Sequence, residues 1–226
     1  MKRLVIFGVG EIGKLSYYYF TRDSDYKVVA FTADNKFIKQ KRFCDLPLIE
    51  FGKIKELYPP ESHNIFIAMG YNNMNKNREE KYNLAKNLGY KFASYISSKA
   101  TFLTDSAVGD NCMILENNTI QPFVKIENNV IIWSGNHIGH GTIIENNCYI
   151  SSHVVISGNV HLEPNVFIGI NASIRDSITI RKETLIGAGA VIMEDTMQKG
   201  VYVPERAKLL DKTSDKIIIS PNNSGD

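Results

Sequence analysis

The sequence predicts an α/β domain of alternating strands and helices followed by an all-β solenoid. Three observations carry this. An apolar run at Leu4–Phe7 turns directly into Gly8-Val9-Gly10-Glu11-Ile12-Gly13. Stepping by six from Val108 gives Val108, Ile114, Ile120, Ile126, Ile132, Ile138, Ile144, Ile150, Ile156, Leu162, Ile168, Ile174, Ile180, Ile186 and Ile192 without an insertion. Between these apolar sites lie turn formers such as Gly109-Asp110-Asn111, Glu127-Asn128-Asn129, Glu145-Asn146-Asn147 and Ser157-Gly158-Asn159.

The elements of the first part follow in order. Leu4–Phe7 suits a buried parallel strand. The glycine junction after it permits a tight turn and close ligand approach, and the helix amides that follow face negative charge. Ile12, Leu15, Tyr19 and Phe20 fall near helical spacing, so 12–20 is a helix, and Tyr26–Phe31 is a second strand. Asp34 stands 21 residues after the third glycine, close to where a dinucleotide fold places its ribose-binding acid. A third strand at Asn64–Ala68 runs into Met69-Gly70-Tyr71-Asn72-Asn73, a helix spans Lys76–Leu88 and stops at Gly89, and Tyr90–Tyr95 is one more strand. This unit, residues 1–95, is about half a full six-stranded dinucleotide fold, which argues against an NAD enzyme.

The second part, residues 96–208, has a period that neither a helix nor simple strand alternation produces. The fourth residue after a ladder position is often small or β-branched, as in Cys112, Val124, Val130, Thr142, Cys148, Val154, Val160, Val166, Ala172, Thr184 and Ala190. Short strands joined by corners, repeated, stack the isoleucines inward as a solenoid. The chain leaves the repeat through Gly200-Val201-Tyr202-Val203-Pro204. A polar tail, 209–226, follows, with one strand expected at Ile217–Ile219.

Composition bounds the function. With 43% apolar and 22% charged residues in 226, the chain is of ordinary globular type. It has no apolar run near the roughly 18 residues of a membrane helix, and it opens on a strand rather than a signal peptide. Cys44, Cys112 and Cys148 lack C-x-x-C spacing, which excludes a zinc knuckle or disulfide framework and fits a reducing cytoplasm. Residues 1–95 carry 16 Lys/Arg against 10 Asp/Glu, a balance that suits an anionic ligand such as a nucleotide. No basic stripe or aromatic-basic module marks a nucleic-acid surface. Four of the five histidines, His137, His140, His153 and His161, fall within 25 residues. Imidazole removes protons near neutral pH, and three such rings are also a zinc set to be weighed.

With these motifs the chain resembles the hexapeptide-repeat acyltransferases with a left-handed parallel β-helix. More narrowly, it is similar to bacterial sugar acetyltransferases that place a small Rossmann-like domain before that helix. These include nucleotide-amino-sugar N-acetyltransferases and sialic acid O-acetyltransferases. The resemblance covers about residues 1–208. It implies three hexapeptides per coil and about five coils. It also implies a cytoplasmic homotrimer of surface-polysaccharide biosynthesis, with acetyl-CoA bound between adjacent β-helices and no metal. The implied reaction moves acetyl from acetyl-CoA to the 4-amino group of a UDP- or dTDP-linked 4-amino-4,6-dideoxy sugar. Acetylation of a sialic acid or other glycan hydroxyl is the alternative, and a non-catalytic sensor or scaffold is a further one.

The same resemblance assigns roles. The pattern His-x-x-[IV]-[IV] selects His140, in His140-Gly141-Thr142-Ile143-Ile144, as the general base. Asn136 orients an imidazole or meets the substrate, and His137 shapes the acceptor pocket. Tyr149 stands where relatives carry a second histidine near the thioester carbonyl, and Gly141 where they carry Glu; His161 is structural. Gly158, Gly169, Asn171, Ala188 and His153 line the coenzyme, with Lys182, Lys199, Arg206 and Lys208 as candidates for its phosphates. Gly8, Gly10, Glu11 and Ile12 approach the diphosphate or ribose of the nucleotide-sugar. Asp34 and Asn35 reach its base or ribose, and Gly70, Tyr71 and Asn72 close the loop.

Overall fold

A computed structural model describes residues 1–217. The α/β domain contains β1 (Lys2–Phe7), α1 (Glu11–Arg22), β2 (Tyr26–Ala33), β3 (Arg42–Phe43), β4 (Leu46–Glu50), α2 (Ile54–Leu57), β5 (Asn64–Ile67), α3 (Lys76–Asn87) and β6 (Lys91–Phe92). Its sheet runs β3-β4-β2-β1-β5-β6 and is parallel except for the β3–β4 pair. Leu4, Val5 and Ile6 of the central β1 are fully buried, which explains an unbroken apolar run in place of alternation. The chain passes from β1 to β2 on one side and then to β5 on the other. The loops after β1 and β5 therefore meet at the switch point, where open α/β sheets bind ligands. The strand expected at Tyr90–Tyr95 divides: β6 closes this sheet, whereas Tyr95–Ile96 pairs with Met113–Ile114 and begins the solenoid.

From Tyr95 onward, two-residue strands stack into the three parallel sheets of a left-handed β-helix. The first face holds Tyr95–Ile96, Met113–Ile114, Ile131–Ile132, Tyr149–Ile150, Phe167–Ile168, Leu185–Ile186 and Val201–Tyr202. The second holds Thr101–Phe102, Thr119–Ile120, His137–Ile138, Val155–Ile156, Ser173–Ile174 and Val191–Ile192. The third holds Lys125–Ile126, Ile143–Ile144, His161–Leu162 and Thr179–Ile180. Every ladder residue from Ile114 to Ile192 is buried, while Val108 at the start is only partly so.

Each corner turns on one residue with a left-handed backbone, again every six positions. These are Asn111, Asn117, Phe123, Asn129, Gly135, Gly141, Asn147, His153, Asn159, Asn165, Asn171, Ser177, Glu183 and Gly189. Glycine and asparagine hold most of them because they adopt this conformation at least cost.

The α/β domain covers the first face. Tyr95, Met113, Ile131 and Tyr149 join Leu4, Ile6, Phe20, Phe31 and Phe66 in one buried cluster. Among the described residues no helix is long and apolar enough to cross a membrane. The strand expected at 217–219 falls mostly outside the described residues.

Candidate functional site

His140 sits at the corner between the second and third faces and is exposed. Its backbone N–H donates to Gln121 Oε1 at 2.8 Å, and its Nδ1 lies 3.4 Å from the same oxygen. Gln121 comes from the coil before. From the coil after, Asn159 N–H donates to His140 O at 2.7 Å. The imidazole rests on Gly158: a Cβ there would come within 2.5 Å of Cε1 and 2.7 Å of Nε2. One coil below Gly141, Phe123 takes the left-handed corner position with its ring 76% exposed. It closes a small cavity of about 200 Å³ with Leu103, Thr104, Asp105, Ser106 and Pro122.

The structure gathers some of the sequence-predicted residues and separates others. Gly158 meets His140. His137 points outward from the second face between Thr119 and Val155 and is half-buried. Asn136 is 2% exposed, and its amide bonds Trp133 O and, at 2.6 Å, the Val154 N–H; its side chain makes no hydrogen bond to a histidine among the described residues. It fills the inward corner position four residues after Ile132, as Asn118 does one coil earlier. Tyr149 lies on the first face, away from the His140 corner. Its hydroxyl accepts from Trp133 Nε1, its ring stacks on Phe167, and burial pushes its pKa up to about 12. Tyr71 covers it edge-on at 5.0 Å.

His153, Gly169, Asn171 and Ala188 share the corner between the first and second faces, opposite the His140 corner across the second face. There the His153 ring rests on Gly135, and Gly169 packs so closely that a Cβ would lie 2.6 Å from Ala188 N. His161 pairs with Glu145 at 2.5 Å on the third face. Among the described residues no group of three or more His, Cys, Asp or Glu is placed to hold a metal ion.

At the mouth of the α/β sheet the glycines differ in what they do. A Cβ on Gly8 would lie 2.5 Å from Ala68 O, and one on Gly13 would lie 2.2 Å from Gly8 O, so both are required by packing. Gly10, at the N-cap of α1 beside Glu11, has nothing within 4 Å of a Cβ; its missing side chain leaves open space at the helix start. Ile12 Cδ1 lies 3.2 Å from where Gly70 would carry a Cβ, so the two loops close on each other. Asp34, just before exposed Asn35, is ion-paired to Lys81 at 2.8 Å. The Lys81 ammonium also lies over the rings of Phe7 and Phe51. Tyr71 and Asn72 are exposed beyond Gly70.

Sequence reasoning missed Gln121, Phe123, Lys81 and Arg78. Phe123 had a signal: a step of six from Asn111 and Asn117 lands on a bulky ring where Asn or Gly is the rule. The others carried none, because their partners are distant in the chain.

The fold and this site define a left-handed hexapeptide-repeat β-helix that carries an α/β domain on its first face. The model of the bacterial transferase hexapeptide (six repeats) matches residues 105–140 and 123–158. The acetyltransferase domain of PglB from Neisseria gonorrhoeae superposes with a TM-score of 0.78 at 24% identity, covering 89% of this chain and 96% of that one. PerB from Caulobacter crescentus, solved with CoA and GDP-perosamine, gives 0.75 at 19% identity over 90% of this chain and 92% of that one. WeeI from Acinetobacter baumannii gives 0.62 at 20% identity over 93% and 100%. At these identities the likeness is one of fold. No curated protein matches the sequence.

Proposed function

We propose that this protein transfers acetyl from acetyl-CoA to the amine of a nucleotide-linked 4-amino-4,6-dideoxy sugar, with His140 as general base. The observation that carries the reading is an exposed imidazole held between Gln121 and Gly158 at an open corner. Support also comes from the fold shared with PerB, which was solved with CoA and an amino-sugar nucleotide. The thioester is already activated, so a base, positioning and an oxyanion donor suffice. His140 takes a proton from the amine as its nitrogen attacks the acetyl carbon. The C–S bond breaks, and coenzyme A leaves as thiolate and is protonated. The nucleotide lies at the mouth formed by Gly8, Gly10, Glu11, Ile12 and Gly70, where Lys81 holds Asp34.

The active unit is a homotrimer. In one chain the second face separates His140 from His153, Gly169, Asn171 and Ala188, so a coenzyme touching both corners needs two copies. The outward row of that face, Thr101, Thr119, His137, Val155, Ser173 and Val191, carries no Lys, Arg, Asp or Glu and suits packing on another copy. The third face, with Lys125, Glu127, Glu145, Glu163 and Arg181, suits solvent.

Free-thiol release from acetyl-CoA tests the reading, with UDP-, dTDP- and GDP-linked amino sugars run beside sialic acid. One amino sugar should give turnover that rises with pH as the attacking amine loses its proton. His140→Ala should lower kcat by about 10² or more without changing the unfolding midpoint. Turnover only with a hydroxyl acceptor would assign O-acetylation instead, and no thiol release with any acceptor would sink the enzyme reading.

A further inference from the structure

We propose that Gln121 is the positioning residue of His140, fixing the tautomer that leaves Nε2 as the proton acceptor. This rests on the reading of His140 as the base.

Gln121 follows the Thr119–Ile120 strand and is held in register by its own N–H, which donates to Ile138 O at 3.0 Å. Its side chain reaches up one coil. The atom that meets the His140 backbone N–H at 2.8 Å must be the carbonyl oxygen, because an NH₂ group cannot accept; the amide is thereby oriented. That oxygen lies 3.4 Å from Nδ1. An imidazole nitrogen facing an acceptor is satisfied when it carries the proton, so this contact favours the tautomer with Nδ1–H and a lone pair on Nε2. Gly158 closes the other side, since any side chain there would strike the ring. A step down the chain, Gly141 supplies no side chain to do this work.

The chemistry of the partner matters as much as its place. The residues that contact His140 from the neighbouring coils are Gln121 below and Gly158 and Asn159 above. None is ionisable. In the coil register the titratable residues around this corner are Arg175 and Asp176 two coils above, Asp105 two coils below, His137 on the adjoining second-face strand, and Lys125 and His161 on the third face one coil below and one above. A neutral amide orients the ring without favouring its protonated form, whereas a carboxylate would hold the proton more tightly.

Two variants and two readouts test this. Long-range proton–nitrogen correlation spectra of protein labelled with ¹⁵N-histidine report which ring nitrogen of His140 carries hydrogen, independent of turnover. The parent should show the Nδ1–H form. Gln121→Leu should lose that preference and lower kcat about 10-fold, with the KM for acetyl-CoA unchanged. Gln121→Glu keeps the shape and the acceptor, so it should retain Nδ1–H while the acidic limb of the pH–rate profile moves up by about one pH unit. An Nε2–H ring in the parent, or a Leu variant with parental spectrum and pH profile, would overturn the proposal. If the spectra behave as expected but no acceptor is acetylated, positioning stands and the acetyl-transfer reading fails. Turnover that survives in the Leu variant with its tautomer lost would show that the amide orients a ring that is not the base.

Discussion

Two corners of the same β-helix meet one backbone demand in different ways. At the corner between the third and first faces, the left-handed residue is Asn111, Asn129, Asn147 and Asn165 in four successive coils, and Glu183 in the fifth. The side chains bond up the stack, Asn111 to Asn129 and Asn129 to Asn147, each at 2.8 Å. At the corner between the second and third faces the same position is Phe123, Gly141, Asn159 and Ser177, preceded by Pro122, His140, Gly158 and Asp176. No residue type repeats. A uniform column can bond to itself and carries the scaffold; a column that changes with every coil forgoes that ladder and is free to carry chemistry.

The largest expected effect comes from breaking the uniform corner. Arg78 of α3 is fully buried against it and, among the described residues, forms no ion pair with a carboxylate. Its guanidinium donates to the carbonyls of Asn147 at 2.8 Å, Gly70 at 2.9 Å, Asn129 and Cys148 at 3.2 Å, and to Asn75 Oδ1 at 3.1 Å. Burial pulls its pKa down to about 10. It also anchors a turn in which Asn73, Met74 and Asn75 are all left-handed, a conformation costing roughly 1–2 kcal/mol per residue without an anchor. Arg78→Met should remove about 3–5 kcal/mol of stability, read by chemical denaturation. A loss below about 1 kcal/mol would mean that the apolar cluster alone holds the two parts together.

That contact also marks the limit of what the sequence tells. The β-helix was legible because its signal is local: a ladder residue every six positions states the period whatever surrounds it. The glycine loop was legible for the same reason. Arg78 was not, since an arginine within Lys76-Asn77-Arg78-Glu79-Glu80 reads as a solvated helix face, and its three partners on the β-helix lie 51 to 70 residues away. Asn136 drew attention as a polar neighbour of two histidines, yet it fills an inward corner position. Asn118 holds the same corner position one coil earlier, a repeat of eighteen that the sequence also carries. Tyr149 falls on the first face by the register it shares with Ile131 and Phe167, and that the α/β domain covers this face was not legible.

A smaller effect should come from crowding the variable corner without breaking it. Gly158 has an ordinary backbone φ, so Gly158→Ala costs no backbone strain and can gain roughly 0.4–1 kcal/mol through the unfolded chain. Its new methyl would displace the His140 ring and lengthen the contact to Gln121. A kcat about 10-fold lower with an unfolding midpoint no lower than the parent's is the expected pair of results. If stability and activity fell together, the corner would be scaffold after all.

The smallest effect sharpens the comparison most. Phe123 and His153 are the bulky rings placed in left-handed corners, one on each edge of the second face, where Asn or Gly would serve the backbone better. Strain of this kind persists where something other than the backbone selects the residue. Phe123→Asn and His153→Asn should each raise stability by about 1 kcal/mol, seen as a higher midpoint in denaturant at unchanged slope. If the proposed function is right and the two corners receive the two substrates, each should at the same time raise the KM for one of them. A variant that gains stability with both KM values intact would remove that ring from the site. One that loses stability would show that the ring packs the coil in spite of its backbone.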